Sequence, residues 1–271
     1  MSARLVFAIS LAAFAASAHA ASLTLDGPLE QGALVRGTVE PGARVTLDGH
    51  PVRVAPDGHF ILGLGRDAPG EAALVVTDAD GASERRVLTI EKRQYDVQHI
   101  NGLPEEQVTP NAQLLERIKA EAALIRTARA VESDRLDFEA PLIWPVTGPI
   151  TGIYGSERIL NGAPRAPHLG VDIAAPAGTP VKAAAGGTVT LAERDLYFTG
   201  GTVIIDHGYG LSTLYVHLER LDVQVGDKVQ QGETIGLLGA TGRATGPNLH
   251  WGVHWYNTGL DPELVAGPMP K

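Results

Sequence analysis

The chain of 271 residues contains no cysteine. Disulfides are therefore excluded, and so is a membrane anchor through a lipidated N-terminal cysteine. Long apolar runs are also missing. The longest candidate, Leu5 to Ala16, falls short of the roughly 20 residues that span a bilayer. Positive charge is scarce as well: 22 Lys and Arg stand against 31 Asp and Glu, a formal net charge of −9. Nucleic acid and anionic membrane surfaces are poor partners for such a chain.

Residues 1–20 carry Arg4, the short apolar run and the small-x-small end Ala18-His19-Ala20, the pattern of a secretory signal peptide. Their removal takes away one base and no acid, so the charge goes from −9 to −10. A soluble periplasmic or secreted protein beginning near Ala21 is expected.

The remaining length allows two domains. Residues 21–92 read as a small β-sandwich. Alternating runs such as Arg44-Val45-Thr46-Leu47 and Ala73-Leu74-Val75-Val76 are separated by Asp-Gly turns at 26–27, 48–49, 57–58 and 80–81. His50 and His59 flank such turns and read as solvated. Residues 93–140 form a linker with one helix. Thr109 is the expected cap, Pro110 fits the first turn, and Leu115, Ile118, Ala122, Ile125 and Ala128 recur at helical spacing as a packing face. Arg126 and Arg129 are expected in solvent. From 141 to 271, turn residues and β-branched runs predict a mostly antiparallel sheet.

That last region holds the chemistry. His168-Leu169-Gly170-Val171-Asp172 and Gly246-Pro247-Asn248-Leu249-His250-Trp251 together supply His, Asp and His. This is the three-ligand set of a catalytic zinc, with a fourth position left for water. Tyr215-Val216-His217-Leu218 lies between them and offers an acid/base group. In a straight strand, residues four apart are separated by about 13 Å, too far for His168 and Asp172 to share an ion. Gly170, the β-branched neighbours and Pro176 argue against a helix, so a bend at Gly170 is expected. Asn248 and His250, two apart on a strand, face the same side about 6.6 Å apart. His254 lies about 13 Å beyond the ligand on that face and reads as structural or as groove wall. His207, in Asp206-His207-Gly208-Tyr209-Gly210, is explained by turn chemistry. The loop before His168 carries Arg158 and Arg165, whose planar guanidinium groups suit carboxylates. Tyr154 and Tyr215 are candidate groove residues.

These segments recur with Gly178-Thr179-Pro180-Val181, Ala185-Gly186-Gly187-Thr188-Val189, Val225-Gly226-Asp227-Lys228-Val229 and Gly239-Ala240-Thr241-Gly242. On that combined pattern, residues 143–264 resemble the lysostaphin-type (LytM) zinc metalloendopeptidases, which cut peptides of bacterial peptidoglycan. The resemblance implies one zinc in an open groove, with His168, Asp172 and His250 as ligands and His217 as a catalytic group. The chain departs from the family pattern at Asn248, where a second catalytic His is usual. Asn248 can donate a hydrogen bond to water or an oxyanion but cannot take a proton.

Three readings follow. The first is a zinc endopeptidase of peptidoglycan. The second is a weakly active or inactive relative that binds cell wall or regulates another hydrolase. The third is a lipoyl- or biotinyl-type carrier, suggested by the Gly-Gly-Thr-Val and Gly-Asp-Lys-Val segments but lacking a lysine at a hairpin tip between them. The N-terminal domain is open to wall binding, to a regulatory protein partner, or to covering the groove.

Overall fold

The computed structural model describes residues 22–102 and 104–270; the segment read as a signal peptide lies outside them. The first seven strands are β1 (Thr24–Asp26), β2 (Leu34–Thr38), β3 (Arg44–Leu47), β4 (His50–Val52), β5 (His59–Gly63), β6 (Glu71–Thr77) and β7 (Ser83–Thr89). They form two antiparallel sheets, β1-β2-β5 and β4-β3-β6-β7. Alternation supplies their shared core: Val35, Phe60 and Leu62 from one sheet meet Val45, Leu74, Val76 and Leu88 from the other.

Next come β8 (Val97–Ile100), the short α1 (Glu105–Val108) and α2 (Ala112–Arg129). The cap of α2 is Asn111 rather than Thr109: its side chain accepts from the Leu114 amide at 3.0 Å. Asparagine is the stronger cap, and Pro110 is displaced to the residue before it. Thr109 instead closes α1, its amide donating to the Glu105 carbonyl. The expected apolar stripe divides in two. Ile125 and Ala128 pack on the sheet beside Leu191, Ile204, Leu214 and Val216, while Leu115 and Ile118 line a groove. Arg129 is not in solvent as expected: it follows Ala128 under the sheet-facing side, and burial pushes its guanidinium down to about 10.

The rest is β9 (Ile150–Gly152), β10 (Glu157–Leu160), β11 (Ala163–Arg165), β12 (Val171–Ala174), β13 (Pro180–Lys182), β14 (Gly187–Leu196), β15 (Gly200–Gly208), β16 (Leu211–Leu221), β17 (Lys228–Val229), β18 (Thr234–Leu238), β19 (Asn248–Trp255), β20 (Thr258–Leu260) and α3 (Pro262–Ala266). Ten of these strands form one antiparallel sheet, with the path β17-β14-β15-β16-β19-β12-β9. In a small separate sheet β8 runs parallel to β10. At the centre, β15 is buried along its whole length. Its Val203-Ile204-Ile205 run is apolar on both faces because helix α2 covers one and the main core covers the other. That core includes Leu34 and Ile61 from the β1-β2-β5 sheet. Near them the buried Asp261 accepts from Arg93 at 2.7 Å. The two β regions are thus packed on one another, with the long sheet's outer face turned to the helix and to a groove.

Candidate metal centre and groove

His168 escapes the strand geometry that would hold it away from Asp172. It precedes β12 and is pinned outside it: its amide donates to the Ser156 carbonyl at 2.9 Å, and its carbonyl accepts from the Gly155 amide at 2.7 Å. The turn through Gly170 then lets the chain double back. A Cβ at Gly170 would lie 2.5 Å from the Trp251 carbonyl oxygen and 2.8 Å from Cε1 of His250, so the absence of a side chain is what permits this approach. Asp172 reaches the site by register, since it is the cross-strand partner of His250 between β12 and β19.

The three side chains converge. His168 Nε2 lies 2.8 Å from His250 Nδ1 and 3.1 Å from Asp172 Oδ1, and His250 Nδ1 lies 2.8 Å from the same oxygen. Tetrahedral ligands held at about 2.0–2.1 Å from an ion stand roughly 3.3 Å apart, close to these edges. Chemistry agrees with geometry. The Nδ1–H of His168 donates to the Ile153 carbonyl at 3.1 Å, which leaves a lone pair on Nε2. Two imidazole nitrogens and a carboxylate oxygen therefore face one point, with too few protons to satisfy all three contacts, and a cation satisfies them together. The residues fit a divalent metal.

Charge around the trio is organised. Burial opposes ionisation of Asp172, but the His168 and His250 imidazoles against its inner oxygen outweigh it and hold the carboxyl far below its usual range. Its outer oxygen accepts from Arg158 Nη2 at 2.8 Å. Burial is also the main force lowering His250.

His217 arrives by a device invisible to strand alternation. Between Tyr215 and Leu218, β16 advances three residues while its partner β15 advances two, from Val203 to Gly201. One residue is extra, which makes a β-bulge. His217 itself takes φ 68°, the left-handed region that non-glycine residues rarely occupy. Tyr215 and Leu218 consequently both enter the core, whereas Val216 and His217 both line the groove. The imidazole is fixed in orientation, its Nδ1–H donating to the Thr241 carbonyl at 2.8 Å, so Nε2 is left as an acceptor. Burial, and after it the neighbouring His250, push its pKa down to about 4. It is neutral at pH 7, a group able to receive a proton.

Asn248 lines the same groove as Asp172, His217 and His250, as its spacing from His250 requires. One of its amide hydrogens is committed, Nδ2 donating to the Gly246 carbonyl at 2.7 Å. The remaining N–H and the carbonyl oxygen are the groups it can offer.

Other candidates go elsewhere. His254 is buried on the same strand face but away from the trio, across from Ser212. His207 is not explained by a turn: it is fully buried on β15, bridging the Gly186 carbonyl at 2.6 Å and the Thr213 hydroxyl at 2.8 Å. Tyr154 and Tyr215 are core residues rather than groove residues. The Tyr154 hydroxyl donates to Gly259 at 2.8 Å, and the Tyr215 hydroxyl accepts from the Ala184 amide at 2.8 Å. Sequence reasoning missed Ile153 and Thr241, whose carbonyls orient the two histidines, and missed Phe198 and Arg243 on the groove wall. The Gly-Ala-Thr-Gly segment at 239–242 was the available signal for Thr241.

The model of peptidase family M23 matches residues 166–262. A solved Pseudomonas aeruginosa structure named for peptidase M23 is 31% identical with a TM-score of 0.67, covering 89% of this chain and 96% of that one. Among curated proteins, DD-carboxypeptidase/endopeptidase Mpg of Neisseria meningitidis serogroup B is 43% identical over 104 residues, 38% of this chain and 24% of that protein. Peptidoglycan DD-endopeptidase ShyA of Vibrio cholerae is 46% identical over 86 residues, 32% of this chain and 20% of that protein. The chain thus spans about a quarter or less of the length of these curated relatives.

Proposed function

The chain belongs to peptidase family M23, and on that premise we propose that it is a zinc-dependent endopeptidase hydrolysing peptide bonds in bacterial peptidoglycan cross-links or stem peptides. The observation that carries the reading is the convergence of His168 Nε2, Asp172 Oδ1 and His250 Nδ1 within 3.1 Å of one another where the groove meets its adjoining cavity. These three residues would hold the ion. Zinc there would supply Lewis-acid polarisation of the scissile carbonyl and make water acidic near pH 7.

The chain's own groups do the rest. His217, neutral and oriented by Thr241, accepts the proton of the attacking water at Nε2, a role that typically contributes about 10²–10⁴-fold. The bulge and left-handed backbone hold that imidazole on the groove side at a conformational cost of about 1–3 kcal/mol. Arg158 keeps the outer oxygen of Asp172 occupied, so the inner one stays turned to His168 and His250, the residues that would hold the ion with it. Asn248 orients substrate or water through its remaining amide hydrogen. It moves no proton, so turnover is slow for this architecture.

The proposed organisation is a signal peptide over 1–20, an accessory β-sandwich over 21–92, a linker over 93–140 and the peptidase domain over 141–271. The location is the periplasm or the exterior. Among the described residues no helix is long and apolar enough to cross a membrane. A second reading, a wall-binding or regulatory protein, is favoured by one observation: Asn248 spends an amide hydrogen on Gly246 where a second imidazole would serve catalysis.

Metal analysis of the purified protein, paired with muropeptide release from cell-wall sacculi, tests both. The expected result is about one zinc per chain, lost in His250→Ala, together with measurable release. Full zinc in His250→Ala would sink the ligand assignment, and zinc without release would favour the second reading.

A further inference from the structure

The groove is strongly basic in a chain that is acidic overall. Its walls carry Arg158 on β10, Arg165 on β11 and Arg243 in the loop before β19. The only carboxylate among the residues lining it is Asp172, already engaged by His168, His250 and Arg158. Three guanidinium groups thus face one cavity, against a formal charge of −9 for the whole chain. Their mutual repulsion is felt: burial, then Arg158 and Arg165, lower the pKa of Arg243. An anion bound among the three would favour their charged forms.

The arginines are also built in place. The Arg243 guanidinium stacks over the Phe198 ring with its carbon 4.2 Å from the centroid, and its backbone amide donates to the Phe198 carbonyl at 2.8 Å. A planar fork held this way is preorganised for a bidentate acceptor. Arg165 is held at the cavity mouth through the Pro164 and Val108 carbonyls. Arg158 keeps a buried Nε without a partner. The adjoining cavity, about 630 Å³ and edged by Leu115, Ile118 and Phe198, is of ordinary ligand size.

We propose that Arg158, Arg165 and Arg243 form a carboxylate-reading rim, so that the peptides accepted by this groove are those carrying free carboxylates beside the scissile bond rather than amidated or neutral ones. The proposal rests on the peptidase reading for the identity of the scissile bond, and on the arginines alone for the charge preference. No group is transferred to the rim. Arg243 and Arg165 are specificity-determining residues that bind substrate, and the difference they make falls on KM and Kd rather than on kcat.

The test uses the full chain and two cross-linked stem-peptide dimers of identical sequence, one with free carboxylates and one with those carboxylates amidated. Binding is measured by calorimetry and cleavage by kinetics. The free-acid dimer is expected to bind about tenfold or more tightly, since hydrogen bonds to a charged group are worth at least that factor. Its advantage should shrink as salt is raised. Arg243→Gln should raise KM for the free-acid dimer about tenfold and erase most of the preference, with Arg243→Lys intermediate because it keeps charge but loses the fork. Arg165→Gln, at an exposed position, gives a second variant with little risk to folding. Equal binding of both dimers by the wild type, binding of neither, or equal loss of both in Arg243→Gln would overturn the rim. Equal cleavage of the two dimers fails the rim and leaves the peptidase standing. Preferential binding of the free-acid dimer without cleavage of either leaves the rim standing and fails the peptidase.

Discussion

Gly170→Ala isolates the close approach on which the trio depends. An added Cβ would meet the Trp251 carbonyl oxygen at 2.5 Å and His250 Cε1 and Nε2 at 2.8 and 2.9 Å. Ordinary contacts are roughly 3.5 Å, so something must move by about 1 Å. The Trp251 oxygen belongs to the backbone of β19, paired in register with Val171, and cannot yield cheaply. The His250 ring is the softer neighbour. Overpacking of this kind costs about 1–3 kcal/mol of stability. A functional constellation tolerates only about 0.5 Å of displacement, so zinc affinity should fall about 10–100-fold, or about 1.4–2.7 kcal/mol. Gly81→Ala is the control. Its Cβ meets nothing within 4 Å but its φ is 86°, so it loses about 1–2 kcal/mol from backbone strain without touching the site. Zinc affinity is read by competition with a chelator and stability by urea unfolding. If Gly170→Ala retains zinc within about threefold of the wild type, the steric argument is wrong. If Gly81→Ala loses zinc in step with stability, the effect is global.

His217→Ala should lower peptide hydrolysis by about 10²–10⁴-fold while metal analysis still finds one zinc per chain. Asn248→His should raise turnover by at most about that factor, and a wild type and Asn248→His both inert on sacculi with zinc bound would end the enzyme reading. His207, buried with a pKa near 4 against an ordinary 6.5, is neutral in the fold. The unfolded chain binds its proton first, so its contribution is fully present above about pH 6.5 and is lost as pH falls to about 4. That difference corresponds to about 3 kcal/mol, and urea unfolding across that window should show a slope that His207→Gln flattens. An unchanged slope in that variant would place the acid sensitivity elsewhere.

The mostly-β class and the turns of the first seven strands were legible because alternation with period two and Asp-Gly pairs are local signals. The helix was legible too, but not its cap, because Thr109 and Asn111 both suit a start and only the backbone at Asn111 chose. Arg129 was misread as solvated because helical spacing identifies a face without saying how far the covering sheet extends along it. Tyr215 was placed in the groove for want of any signal telling the two faces of a strand apart near a site, and Tyr154 because nothing in a turn's sequence says that its side chain folds inward.

The residue types at 168, 172, 217, 248 and 250, and the chemistry those types allow, were determined by the sequence alone, since imidazole and carboxylate carry their ligand properties wherever they sit. Which nitrogen of each histidine faces the groove was decided only by tertiary structure. The carbonyls of Ile153 and Thr241, 15 and 24 residues away in the chain, fix the tautomers of His168 and His217. The bulge that turns His217 out of the core exists only against β15, and the arginine rim exists only where β10, β11 and the loop before β19 meet. Each of these depends on contacts between segments whose separation along the chain carries no periodic or compositional mark, so they appear only once the sheet has closed.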